Sequence, residues 1–244
     1  MTTLHTLPSA LCPLPSAFYP PICNYSNGRT VPAKTMNLRL LDTLKKHPAL
    51  LSADTEQQYT VTGVSWQTYE ALLADLADDF PGLRVHYLEG TLEIAMPGRD
   101  HEVIKENISG LLRAYFEETR TRFYGLGSTT FRREVRRRGA EPDTSFCVES
   151  EKPFPDIAIE VVHTSGGIDK LSIYQGLGVP EVWFWEKGEF AVYALQAAGY
   201  ERRQRSQFLP DLDLTLLATY VQHPEPLNAV LEFRAATIHK TLER

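Results

Sequence analysis

Cysteine is scarce in this chain, and the little there is forms no pattern. Its 3 cysteines, Cys12, Cys23 and Cys147, lack the short spacings of a metal-ligand set, so neither a disulfide framework nor a structural zinc is expected. A reducing, cytoplasmic setting is the matching expectation. Long apolar runs are missing too: none approaches the ~20 residues of a membrane helix, so no membrane association is expected. Early positive charge is absent, the first Lys or Arg being Arg29, which leaves no basic region to open a signal peptide. Positive charge is also in the minority overall, 25 Lys and Arg against 31 Asp and Glu, for a net charge of −6. That balance argues against a protein held on nucleic acid by bulk charge, and it leaves room for a local basic groove.

What is present is enough for one large domain. The 244 residues, 43% hydrophobic, suffice to bury a full core. Residues 1–35 stand apart as a disordered Pro/Ser-rich extension. Leu7-Pro8-Ser9-Ala10-Leu11 is nearly repeated by Leu14-Pro15-Ser16-Ala17-Phe18, with little charge to solvate a helix and too much proline to permit one. A misassigned start codon would produce such an extension, with Met36 the candidate start, and residues 36–244 then read as a single domain closed by C-terminal helices.

Within that domain the periodicities alternate. Leu38, Leu41 and Leu44 suit a short helix before Pro48. Thr60 to Val64 suits a strand, and Ser65 caps a helix with a Tyr69, Leu72, Leu73, Leu76 stripe. Asp75, Asp78 and Asp79 near its end suit a solvated face better than a metal site. Arg84 to Met96 predicts a hairpin turning at Glu89-Gly90, with Leu92, Ile94 and Met96 inward and Glu93 outward. Asp100 predicts the cap of a helix from His101 to about Thr119. Strands follow in Phe123–Val135, Asp143–Val148 and Asp156–Val162, the last apolar on both faces as a central strand would be. A helix from Asp169 to Leu177 ends at Gly178. Strands at Glu181–Trp185, Phe190–Leu195 and Tyr200–Ser206 precede helices at Asp213–Val221 and Pro226–Lys240. This order predicts an α/β (α+β) fold: a central mixed sheet flanked by helices.

The chemistry-bearing residues gather between Glu141 and Trp185. Asp143 opens one strand and Glu160 lies near the end of the next, so neighbouring strands would bring both carboxylates to one hard cation. Glu160 interrupts an apolar strand, where a carboxylate is costly unless paired or metal-bound. Lys170 falls in the first turn of the following helix, placed to orient a water or to stabilise a pentavalent phosphorane. Thr164-Ser165-Gly166-Gly167 is a small loop able to approach a phosphate. Read singly, Asp143 also suits a turn after Pro142, Glu160 an ion pair, and Lys170 plain solvation. The run Arg132-Arg133-Glu134-Val135-Arg136-Arg137-Arg138 suits a phosphate backbone and a solvated sheet face equally. His101 and His163 flank the region, while Trp183 and Trp185 suit the core.

Several of these stretches together resemble a known family, the Uma-two group of restriction endonucleases within the PD-(D/E)xK nuclease superfamily. They are Leu88-Glu89-Gly90-Thr91-Leu92-Glu93-Ile94, the His101-Glu102 helix start, Glu141-Pro142-Asp143, Asp156 to Val162, Ser165-Gly166-Gly167-Ile168-Asp169-Lys170 and Gly178-Val179-Pro180-Glu181-Val182-Trp183. The resemblance spans about Val64 to Ala236. It implies a restriction-endonuclease-like core and a Mg2+-dependent DNA endonuclease (Mn2+ substituting), with Asp143 and Glu160 as catalytic metal ligands and Lys170 assisting. The superfamily's usual lysine position holds Val162 here, so the resemblance moves that task to Lys170. It also offers Glu102 or Glu106 as a further acid from the early helix, while His101 and His163, by their own position, are candidates for a supporting role. DNA is the implied partner, with Arg132, Arg136, Arg137 and Arg138 as candidate contacts, and double-strand cutting favours a homodimer. The other reading of the same residues is an inactive nuclease-fold protein that binds nucleic acid or a protein partner without cutting.

Overall fold

A computed structural model describes residues 56–76, 82–162 and 167–242. The Pro/Ser-rich extension, the helix expected before Pro48, Asp78 and Asp79, and the loop carrying His163 to Gly166 lie outside the described residues.

β1 (Gln57–Thr62) leads into α1 (Trp66–Leu76). Ser65 caps α1 as predicted, its Oγ accepting the Thr68 N–H at 3.1 Å. β2 (Arg84–Leu88) and β3 (Thr91–Met96) form the expected hairpin. Glu89 and Gly90 take φ of 47° and 99° at its tip, the positive values a two-residue turn needs to match strand twist. α2 (Arg99–Glu118) starts two residues earlier than Asp100 capping predicts: Gly98 is the cap and makes no side-chain bond. Asp100 sits inside the first turn instead, where its charge still meets the positive end of the helix.

β4 (Phe123–Gly125), β5 (Phe131–Arg133) and β6 (Arg138–Ala140) follow, with a 3-10 turn at Glu134–Arg136. The arginine run is therefore no alternating strand face. β5 and β6 pair through Arg132↔Gly139 and Arg133↔Arg138, and the run forms their exposed connection, with Arg137 left-handed at φ 51°. β7 (Thr144–Val148), β8 (Ile157–Val162), α3 (Lys170–Leu177), β9 (Glu181–Glu186), β10 (Glu189–Gln196), β11 (Gly199–Arg203), α4 (Leu214–Val221) and α5 (Pro226–Leu242) complete the order. Gly178 stops α3 at φ 78°, as its sequence position predicts.

The fold class is mixed α/β, as expected, but the strands divide between two sheets instead of joining one. The first runs β1-β3-β2-β6-β5 and the second β11-β10-β9-β8-β7-β4. Only β8–β9 is parallel in the second sheet, and α3 is the crossover that a parallel pair requires. Alternation along β8 sorts its side chains. Ile157, Ile159 and Val161 join Ile108, Leu112, Phe116, Trp183, Leu217 and Phe233 in the core under α2, α4 and α5. Ala158 faces the other way, packing with Ile173, Leu177 and Val182 beneath α3. In the first sheet, Val85, Tyr87, Leu92 and Ile94 pack on Tyr69 and Leu72 of α1. Each fully buried aliphatic or aromatic side chain here contributes about 1.5–3 kcal/mol. Among the described residues no helix is long and apolar enough to cross a membrane.

Candidate active site

The antiparallel register Thr144↔Ile159 carries Asp143 opposite Glu160, and the Asp143 N–H donates to the Ile159 carbonyl at 3.1 Å. Both carboxylates are buried, at 5% and 1% exposure. Glu160 lies on the face of β8 that Ala158 shares, toward α3. Lys170 and Tyr174, one helical turn apart on α3, both end on it: Lys170 Nζ is 2.6 Å from Glu160 Oε2, and the Tyr174 hydroxyl donates to Oε1. Asp143 Oδ2 accepts the Val161 N–H at 2.7 Å, and its Oδ1 lies 2.8 Å from His101 Nε2. The other ring nitrogen of His101 is 3.6 Å from Glu56 Oε2.

Electrostatics follow from this crowding. Burial by itself would lower the His101 pKa, but Asp143 and Glu56 outweigh it and hold the imidazole at about 9. Burial would likewise discharge Lys170. The Glu160 and Asp143 carboxylates, with a further contribution from Glu93, raise its pKa instead and keep it an ammonium. Burial raises Glu160, assisted by the Asp143 charge and opposed by Lys170. Asp143 is also penalised by burial, yet the His101 hydrogen bond and the Lys170 charge bring it below the ordinary carboxylate range. Four carboxylates, those of Glu56, Glu93, Asp143 and Glu160, thus surround two cations, His101 and Lys170.

Asp143, Glu160, Lys170 and His101 therefore lie together in the fold. Glu102 and Glu106 do not join them: both turn toward Lys105, Glu102 also lies 3.7 Å from Arg84, and their side chains are 41% and 73% exposed. The arginines disperse. Arg132 lies 3.5 Å from Glu70, Arg137 donates to the Tyr87 hydroxyl, and Arg138 donates to Glu89 and to the Ser172 carbonyl, while Arg136 stays exposed. Arg133, also in the run, stacks over the Phe154 ring at 4.6 Å.

Sequence periodicity missed two members. Glu93 was expected on a solvated strand face; it is 0% exposed, and its Oε2 accepts the Ile168 N–H at 2.7 Å. The reason is the entrance to α3, whose Gly167 and Ile168 lie against the Glu93 carboxylate on the face of β3 opposite α1. His86, paired with Glu93 across β2–β3, is 1% exposed on the same covered face. Burial, with the Lys170 charge beside it, drives its pKa well down and keeps it neutral. Tyr174 carried a signal in its i, i+4 spacing from Lys170.

As a metal site, the arrangement offers two hard oxygen donors on adjacent strands inside a group with more negative than positive charge. This matches Mg2+, which takes one or two carboxylates and fills its remaining positions with water and substrate phosphate. Among the described residues no group of three or more His, Cys, Asp or Glu side chains is arranged to hold an ion. Asp143 and Glu160 are the two oxygen donors this cluster offers a cation, and each now lies against a basic side chain of the protein, His101 and Lys170 respectively.

Comparison with known proteins adds a lineage. The family model described as "Uma2: Putative restriction endonuclease" matches residues 66–222. The crystal structure of a "putative nuclease belonging to DUF820" from Anabaena variabilis ATCC 29413 is similar at 16% identity, covering 62% of this chain and 90% of that one with a TM-score of 0.39. None of the curated proteins matches the chain.

Proposed function

The chain belongs to the Uma2 family, and from that premise we propose that it is a Mg2+-dependent DNA endonuclease. Asp143 and Glu160 hold the metal, and Lys170 assists. The observation that carries this reading is the placement of two buried carboxylates across from each other on β7 and β8, with the Lys170 ammonium 2.6 Å from one of them. When bound, the cation supplies a Lewis acid that activates water and neutralises phosphate charge. The chain's own residues do the rest. Val161 N–H and His101 fix the Asp143 carboxylate, and Tyr174 fixes Glu160. Lys170, held protonated by its carboxylate neighbours, is unsuited to abstracting a proton at neutral pH. Its part is a fixed positive charge beside the phosphate as negative charge builds on it. Its side chain, at 22% exposure, is far more open than those of the two acids.

DNA reaches this site past the β5–β6 connection, where Arg136 stands exposed among the arginines and is free to meet a phosphate. A homodimer would bring a second site to the opposite strand of a duplex. A second reading has its own support: every oxygen of Asp143 and Glu160 already has a protein partner, which suits a closed cluster in a protein that binds nucleic acid or a protein partner without cutting. Plasmid cleavage in Mg2+ separates the two. Wild type and a Glu106→Ala control should cut, while Asp143→Ala, Glu160→Ala and Lys170→Ala should lose most activity. Metal-dependent cutting that survives in Glu160→Ala sinks the assignment; salt-sensitive binding with no cutting by wild type supports the second reading.

A further inference from the structure

Glu93 is a buried carboxylate whose part so far is only its charge near Lys170. It projects from the middle of β3, in the first sheet, onto the face opposite α1. One oxygen, Oε2, accepts the Ile168 N–H at 2.7 Å. The other, Oε1, is buried and has no hydrogen-bond partner among the described residues. Ile168 stands two residues before Lys170, at the entrance to α3. Asp169 then caps the helix internally, its Oδ1 accepting the Ser172 N–H at 3.0 Å. Gly167 packs against the same carboxylate: a methyl group there would collide with the Glu93 carboxylate and the Gln58 amide. The first sheet thus grips the second sheet's crossover helix at its N-terminal entrance, through a charge-assisted bond from an acid with one oxygen to spare.

We propose that Glu93 is a positioning residue, tying the Ile168 backbone to β3 and thereby fixing where Lys170 stands relative to Glu160. The tether rests on the geometry above; its consequence for cleavage rests on the endonuclease reading. An anchor on each side of Lys170, at Ile168 and at Ser172, removes the swing of the helix entrance. Lys170 reaches across from α3 to β8, so a shift of its backbone moves the charge off the reacting phosphate.

Hydrogen exchange and cleavage kinetics on the full chain test this together. Glu93→Ala removes tether and charge, Glu93→Gln keeps an acceptor for Ile168, and Gly167→Ala crowds the tether from the chain's surface. In Glu93→Ala, exchange at the Ile168 amide should rise about tenfold to a hundredfold, the range a hydrogen bond to a charged group supplies. Its kcat for Mg2+-dependent plasmid cleavage should fall at least about tenfold with KM for DNA unchanged, the pattern of a lost transition-state interaction. Glu93→Gln should hold kcat within about threefold, and Gly167→Ala should fall with Glu93→Ala. Leu72→Ala, which lowers stability from the α1 side, should leave kcat intact. Unchanged Ile168 exchange in Glu93→Ala overturns the tether. So does a Glu93→Gln protein as impaired as Glu93→Ala, or a Leu72→Ala protein as impaired as either. A wild type that cuts no DNA would instead defeat the endonuclease reading, and Ile168 exchange would still decide the tether.

Discussion

Replacing Lys170 by methionine tests the charge balance of the cluster without asking anything of catalysis. Methionine keeps much of the side chain's length and apolar stem but leaves Glu160, at 1% exposure, with Tyr174 as its remaining side-chain partner. Breaking a buried ion pair from one side costs about 3–5 kcal/mol. Lys170 retains 22% side-chain exposure, so water reaches its end of the pair and the lower figure, about 3 kcal/mol, applies. For a domain of this size that is a fall in Tm of about 6–12 °C. The loss should depend on pH. Glu160 is held above its ordinary range in the folded chain, so the fold binds its proton more tightly than the unfolded chain does. Stability of the variant should therefore recover as pH falls through the folded pKa of Glu160, where the carboxyl becomes neutral and needs no counter-charge. Thermal melts of wild type, Lys170→Met, Glu160→Gln and the double variant, at pH 5 and pH 7.5, complete a cycle. The double variant should be more stable at pH 7.5 than Lys170→Met. Additive losses, or a Lys170→Met protein within about 1 kcal/mol of wild type at pH 7.5, would refute the reasoning.

Three further outcomes follow from the same contacts. His101 is held at about 9 against an unfolded value near 6.5, so its contribution is fully present below pH 6.5 and is lost as pH rises through 9. Urea unfolding should show about 3 kcal/mol less stability at pH 9.5 than at pH 6.5 on this account, and His101→Gln should flatten that slope. Tyr174→Phe removes the hydroxyl donor to Glu160 and should cost about 1–3 kcal/mol in the same assay while leaving the α3 packing around Ile173 and Leu177 in place. Arg136→Ala should lower duplex affinity evenly across sequences and reduce the log–log salt slope by about 1, measured by fluorescence anisotropy without metal. An unchanged slope removes the β5–β6 connection from the DNA path.

Periodicity and punctuation made most elements legible. The Leu92, Ile94, Met96 alternation, the Ser65 cap and the Gly178 stop each correspond to what the fold contains, because each is a local steric or hydrogen-bonding requirement. What local signals cannot carry is which strands share a sheet. The division into two sheets depends on long-range pairing, and so does the packing of the α3 entrance on β3 that turns Glu93 from a solvent-facing residue into a buried one. For the same reason the arginine run is no continuous strand: a turn at Glu134–Arg136 divides it between the end of β5 and the start of β6. At the candidate site, Glu160 stood out as a carboxylate inside an apolar strand and Lys170 as a cation in a helix's first turn, both of which call for partners, and Asp143 as the acid at the mouth of the neighbouring strand. Their partnership with each other needed the register Thr144↔Ile159. Glu93 and His86 gave no such signal, each sitting where an ordinary polar strand position would.

The central claim is that Asp143 and Glu160 share one divalent cation. A crystal structure of the full chain soaked in Mn2+ tests it most directly. The account predicts one ion within about 2.0–2.3 Å of an oxygen from each carboxylate, with His101 or Lys170 displaced from the oxygen it now contacts. Both carboxylates still engaged by His101 and Lys170 at saturating Mn2+, with no ion between them, would contradict it.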